Sequence, residues 1–227
     1  LITKEDFYGI RCKFHPISPD EIQEWHFTPL TWIQQGQEEK VLALAMQHGI
    51  EDFYAEKYLD TLRVGAETEP DELFDKSHGF YIAVIQGFFR DYYYTRGSAF
   101  SFLAEEKPEY ARYFTPWAQV VPTALPNPAK NQIIENYCSG VYLSPNQVLQ
   151  ILRDLEQEPK VLEDLEKHWS DGQFAVLKKA LTAAAELGTG LLEATEVVEP
   201  NPLHPNESTC YSNLFHCDRD GVYLYID

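Results

Sequence analysis

The sequence predicts an α+β fold, in which a mainly helical body packs on a small, largely antiparallel sheet. Apolar residues recur at helical spacing along much of the chain, whereas short segments near both ends alternate between apolar and polar residues or are rich in strand-forming types. With 227 residues, 44% of them hydrophobic, the chain can bury a substantial core. We therefore expect a single compact domain over residues 1–227.

Each half of the chain contains a strand followed by a proline-started helix. Residues 8–15 alternate from Ile10 onward, which predicts a half-buried strand, and the segment 18–21 (Ser-Pro-Asp-Glu) supplies a capping box for a helix. A strand at 137–143 likewise precedes the segment 144–147 (Ser-Pro-Asn-Gln). A duplication would explain this recurrence. The competing interpretation is that such a helix start is common, since the flanking residues align poorly.

Prolines separate the two strand–helix units. Four of them fall within residues 115–131, which predicts an irregular connecting segment. If the chain forms two similar lobes, it divides here, into residues 1–114 and 132–227.

The other elements follow from apolar spacing and from turn residues. Helices are predicted over 38–47 and 53–62, and three more begin at Pro145, Pro159 and Ser170, the last ending at Gly188. A strand is predicted over 191–198. A hairpin joins strands 209–217 and 222–226 through the turn 218–221, because Asp-Gly favours hairpin geometry.

Aromatic residues concentrate between Phe74 and Trp117, which contains 14 of the 31 in the chain. Residues 79–89 are apolar nearly all round, so they predict a buried helix, which we expect to end near the three tyrosines at 92–94 with their hydroxyls reaching solvent. Tyrosine and arginine are frequent in binding hot spots. For a pocket in the block 78–98, the candidate polar lining is His78, Tyr93, Tyr94 and Arg96.

No metal and no other cofactor is predicted. The nearest candidate ligand pair is Cys210 and His216, which could share one face of a strand, whereas Cys217, seven residues from Cys210, would face the other side. This spacing does not match a zinc knuckle. The four widely spaced cysteines instead predict reduced, mostly buried thiols, as is typical of a cytoplasmic protein.

The net charge of −18 is spread evenly, with 20 acidic and 10 basic residues in 1–110 and 16 and 8 in 111–227. A nucleic-acid or anionic-membrane binder needs a clustered basic face, so both partners are excluded on composition. A basic protein remains the partner class that this charge would attract.

The sequence contains no nucleophile elbow, metalloprotease helix or phosphate-binding loop. The leading hypothesis is a non-enzymatic acidic interaction protein, such as an inhibitor or immunity-type partner of a basic protein. The alternative is an enzyme or small-molecule-binding protein with a pocket lined by the block 78–98. The first requires an exposed face dense in carboxylates and tyrosines, and the second requires a pocket on which polar groups converge.

Overall fold

A computed structural model of the chain describes residues 11–67, 78–116, 119–120, 140–195, 197, 200–201, 204–208 and 216–224. The strands are β1 (Arg11–Ile17), β2 (Tyr92–Arg96), β3 (Tyr142–Leu143), β4 (Gly190–Thr195), β5 (Pro200–Asn201), β6 (His204–Ser208) and β7 (Cys217–Asp218). The helices are α1 (Pro19–Ile22), α2 (Thr28–Gln34), α3 (Glu38–Gln47), α4 (Asp52–Glu67), α5 (His78–Phe89), α6 (Phe100–Glu106), α7 (Pro145–Gln157), α8 (Pro159–His168), α9 (Gln173–Leu187) and α10 (Asp220–Tyr223). A π-helical turn (Gln23–Phe27) joins α1 to α2, and a 3-10 helix (Pro108–Tyr113) follows α6.

The principal sheet has five strands in the order β3-β4-β1-β2-β7. β1 pairs antiparallel with β2 and with β4, β3 pairs antiparallel with β4, and only the edge pair β2–β7 is parallel. β5 and β6 form a separate two-stranded ladder. The predicted α+β class with a largely antiparallel sheet is thus confirmed.

Helices cover both faces of this sheet. Side chains alternate along each strand, so Ile17, Tyr92 and Leu192 belong to a first core built with α2 to α5. Phe14 and Leu191 belong to a second core, built with α6 to α9. The central strands β1 and β4 are therefore buried on both faces.

The polar face of β1 is buried as well, so the prediction of a half-buried strand was wrong. Lys13 and His15 are fully buried, because the first helical layer covers the face on which sequence alternation places them. The Lys13 ammonium donates to the Arg11 carbonyl at 3.1 Å and lies 5.8 Å from the centre of the Tyr94 ring. A backbone acceptor and an aromatic face thus replace part of its lost hydration.

His15 is linked to the buried helix α5 through Gln86. Its Nδ1 lies 2.7 Å from Gln86 Oε1, and Gln86 Nε2 donates to the Asp91 carbonyl at 3.0 Å. Nδ1 therefore carries the proton, because an amide oxygen can only accept. Burial lowers the pKa of His15 to about 3, so the imidazole is neutral at physiological pH.

Both predicted capping boxes are present. The Ser18 hydroxyl oxygen accepts a hydrogen bond from the Glu21 amide at 3.2 Å, and the Ser144 amide donates one to the Gln147 side chain at 2.9 Å. The strands before them, β1 and β3, lie on opposite sides of β4, so both halves of the chain contribute to one sheet. The division into two lobes at 115–131 stays a prediction, since most of that segment lies outside the described residues.

Two local predictions were wrong. The tyrosines at 92–94 form the buried strand β2 rather than a solvent-exposed helix end, because the chain turns back at Arg90–Asp91 and pairs with β1. Residues 220–223 form the short helix α10 rather than a hairpin strand, and β7 pairs with β2 instead. The strand predicted over 209–217 lies outside the described residues except at its end.

The predicted apolar helix is confirmed as α5, whose side chains from Tyr81 to Phe88 are buried. Its twelve residues are too few to span a bilayer, and no other helix in the described part of the chain is both long and apolar enough to do so.

We expect Gln86→Leu to lower the free energy of unfolding by about 2–4 kcal/mol, because it leaves His15 Nδ1 and a backbone carbonyl buried without partners. Urea denaturation at neutral pH measures this loss. Gln34→Leu, at an exposed position of α2, is the matched control and should change stability by less than about 0.5 kcal/mol. Equal effects of the two substitutions would contradict the assignment.

Candidate functional site

A cleft of about 370 Å³ opens where β2 ends, beside α6 and the connection between α8 and α9. This volume lies within the usual range for small-molecule sites, roughly 300–1,000 Å³. The cleft is lined by Arg96, Gly97, Ser98, Leu103, Glu106, Lys107, Asp164, Lys167, His168, Trp169, Ser170, Asp171 and Gln173.

Two reversals of the chain form the walls of the cleft. Gly97 has a positive φ of 99°, which allows the chain to leave β2 and enter α6 within a few residues. Asp171 and Gly172 are consecutive residues with φ of 57° and 82°, and α9 begins directly after them. The helix predicted to start at Ser170 thus starts at Gln173, because this left-handed turn comes between. Asp171 is the one non-glycine residue with positive φ in the described ranges.

The most specific contact in the cleft joins Ser98 and His168. Ser98 Oγ lies 2.6 Å from His168 Nε2, and the same nitrogen lies 3.0 Å from the Ala99 carbonyl oxygen. Ser98 is buried, and burial lowers the pKa of His168, so the imidazole is neutral near pH 7.

The Ala99 carbonyl determines the direction of this hydrogen bond. A carbonyl oxygen only accepts, so Nε2 of the neutral imidazole carries the proton and is shared between Ala99 and Ser98. Ser98 Oγ then accepts from His168, and its own proton is directed elsewhere. The described residues provide no acceptor for that proton.

Charges in the cleft are balanced, unlike those of the chain. Three basic residues (Arg96, Lys107 and Lys167) face three acidic ones (Glu106, Asp164 and Asp171), against 18 and 36 in the whole sequence. Asp164 pairs with Lys107 and, at 2.7 Å, with Lys160, and these cations lower its pKa well below the usual range. Lys167 forms no ion pair with any described residue. The proportion of basic residues among the charged ones is therefore higher in the lining than in the whole sequence.

Two buried donors belong to residues of the cleft. Gln173 Oε1 accepts from the Thr95 hydroxyl and, at 3.2 Å, from the Arg96 amide, which identifies the remaining atom as the nitrogen. That Nε2 and the Trp169 indole nitrogen have no hydrogen-bond acceptor among the described residues. Buried donors without acceptors are costly, and each requires an explanation such as an ordered water or a bound group.

The carboxylate of Glu193, on β4, holds the segment that carries Ser98. It accepts from the backbone amides of Phe100 and, at 3.2 Å, Ser101, and from the Ser101 hydroxyl at 3.1 Å. These are the first amides of α6, so Glu193 acts as its cap across the fold. Glu193 is fully buried, and burial raises its pKa to about 7 despite these donors.

The structure separates the four residues chosen from the sequence. Arg96 lines the cleft. Tyr93 belongs to the second core and Tyr94 to the first, because neighbours on a strand face opposite sides of the sheet. His78 begins α5 in the first layer, and its side chain lies outside the described residues. Their roles in binding stay predictions.

Of the candidate metal ligands, Cys210 lies outside the described residues. His216 is described, and its Nδ1 lies 3.1 Å from Asp91 Oδ1. Within the described ranges, no group of three or more His, Cys, Asp or Glu side chains is arranged to hold a metal ion. The side chains of Cys12 and Cys217 are buried.

Sequence reasoning missed His168, Trp169 and Gln173. His168 and Ser98 are 70 residues apart, and no motif connects them. The one local signal was the segment 170–172 (Ser-Asp-Gly), whose residue types favour a turn after α8.

We expect the stability of the protein to depend on pH through Glu193. Its pKa rises from 4.5 unfolded to about 7 folded, so its contribution is complete below about pH 4.5 and is lost as the pH rises through about 7. Relative to Glu193→Gln, the parent should lose about 3 kcal/mol of unfolding free energy between about pH 4.5 and pH 8. Urea denaturation at several pH values measures this difference, and a difference that is constant with pH would contradict it.

Comparison with protein-family models, with curated proteins and with solved structures found no match to this chain. Its functional interpretation therefore depends on the geometry of the cleft.

Proposed function

We propose that the protein binds a small organic anion in the cleft, with the acceptor group of the ligand on the Ser98 hydroxyl. The Ser98–His168 hydrogen bond carries this proposal, because it leaves the Ser98 proton available for an acceptor. The proposal specifies the second of the two sequence hypotheses, since residues 96–98 of the aromatic block line the cleft.

The lining offers cationic side chains to an anion, although Glu106 and Asp171 keep its formal charge balanced. Arg96 and Lys167 line the cleft, and the carboxylate of Asp164 is already compensated by Lys107 and Lys160. A carboxylate ligand could accept both from the Ser98 hydroxyl and from a cationic side chain, and hydrogen bonds to charged groups contribute about 1.5–3 kcal/mol each.

The apolar residues of the lining favour an organic ligand over a simple inorganic ion. Leu103 and Trp169 line the same cleft as the polar groups. An aromatic or aliphatic body could pack against them while the acid group contacts Ser98, which is the usual division of roles in ligand sites.

Binding explains the geometry better than nucleophilic catalysis by Ser98. A serine nucleophile must give its proton to a neighbouring base, but His168 Nε2 already carries a proton, which it donates to the Ala99 carbonyl. The nearby amides of Phe100 and Ser101, which could stabilise an oxyanion, are occupied by Glu193.

Phenylacetate is a suitable probe, with phenethylamine and phenethyl alcohol as its cationic and neutral counterparts. We expect phenylacetate to bind more tightly than either, and to shift the indole resonance of Trp169 in ¹H–¹⁵N NMR titrations. The Trp169→Phe variant lacks this indole, so the resonance that disappears from its spectrum is that of Trp169. Equal affinity for the acid and the amine would contradict the proposal.

Ser98→Ala should weaken phenylacetate binding about 10- to 100-fold, because a charge-assisted hydrogen bond is lost. Thr182→Ala is the matched control, since this exposed hydroxyl on α9 bonds only the Lys178 carbonyl of its own helix. Thermal unfolding of both variants verifies that they are folded. Parent-like binding by a folded Ser98→Ala variant would rule out the assigned contact.

A further inference from the structure

The strongest feature outside the cleft is the exposed side of the α3–α4 hairpin, here called the α3–α4 face. Met46 lies at the end of α3 and Phe53 at the start of α4, on either side of the short connection 48–51. Their exposures are 68% and 65%, the highest among the large hydrophobic side chains in the described part of the chain. Val64, further along α4, is also exposed.

Carboxylates are frequent on the same two helices. Residues 38–67 contain seven acidic and three basic residues. Arg63 is engaged by Glu38 at 2.6 Å and by Asp60 at 2.9 Å, and Lys40 lies 2.7 Å from the Gln37 amide oxygen. Five acids form no ion pair with any described residue: Glu39, Glu51, Asp52, Glu56 and Glu67.

Helix stabilisation accounts for only part of this arrangement. Glu51 and Asp52 precede or begin α4, where negative charge favours the helix. Glu56 lies a turn further on, where that effect is already weak, and an exposed phenylalanine contributes nothing to helix capping. Phe53 has one cation nearby, Lys57, whose Nζ lies 5.7 Å from the centre of its ring.

We propose that the α3–α4 face binds a basic polypeptide segment that also carries apolar side chains. Carboxylates that form no ion pair with a described residue complement Lys or Arg on the partner, and Met46 and Phe53 offer the apolar contact that anchors an interface. This inference is independent of the cleft, which lies beside α6, α8 and α9. It proposes the α3–α4 face as the surface with which an acidic interaction protein of this kind would contact a basic partner.

The test uses a fluorescently labelled amphipathic peptide of lysine and leucine, with binding measured by anisotropy at an ionic strength of about 0.15 M, where the Debye length is about 8 Å. A net charge of −18 attracts any polycation, so the variants must separate local from general attraction. The site variant combines Glu51→Gln, Asp52→Asn and Glu56→Gln. The matched control combines Glu156→Gln, Glu163→Gln and Glu166→Gln, three exposed acids of α7 and α8 outside any described ion pair.

Both triple variants change the net charge by the same amount. We expect the site variant to weaken peptide binding about tenfold and the control variant about twofold or less, because charges beyond a Debye length are largely screened. Equal weakening by the two would overturn the proposal and leave only non-specific attraction.

A second pair of variants tests the apolar contact without changing charge. Phe53→Ser should weaken binding about tenfold, whereas Leu187→Ser, at another exposed apolar residue, should leave it unchanged. Circular dichroism and thermal unfolding establish that each variant is folded. Parent-like binding by a folded Phe53→Ser variant would overturn the proposal even if the charge variants behaved as expected.

Discussion

The burial of β1 and β4 on both faces is the constraint on which the rest of the structure depends. Because helices cover the sheet on both sides, the polar residues of these strands must find partners inside the protein. Lys13 uses a backbone carbonyl and an aromatic ring, His15 uses Gln86, and Glu193 uses the first amides of α6. The contacts of Lys13 stay within the sheet, whereas those of His15 and Glu193 join a strand to a covering helix. His15 and Glu193 therefore help to specify how the layers dock.

Glu193 connects this interior to the surface. Its carboxylate holds the start of α6, and the residues just before that start are Ser98 and Ala99, both of which contact His168. The cleft is therefore supported from beneath by a buried acidic side chain on the central sheet. An arrangement in which a rigid strand positions a binding loop through its backbone amides is common in ligand sites.

Local signals predicted the helices well and the site poorly. Both capping boxes, the limits of α3 and the burial of α5 followed from residue types only a few positions apart. Strand β2 is buried on both faces, so its three consecutive tyrosines show no alternation of apolar and polar residues. For that reason the sequence was interpreted as a helix end there. Of the cleft, Arg96 was chosen in advance, whereas His168 and Gln173 are brought to it by tertiary packing that no short-range pattern encodes.

The span of the Glu193 contact has a consequence for the order of assembly. Ser98 is made 70 residues before His168, and Phe100 is made 93 residues before Glu193. Closing such long loops is slow and entropically costly, so these contacts form late in folding. A nascent chain that ends before β4 would have the aromatic block and α6 without the carboxylate that holds them. The cleft thus forms only once β4 has been made, and it reports on whether these distant segments have come together.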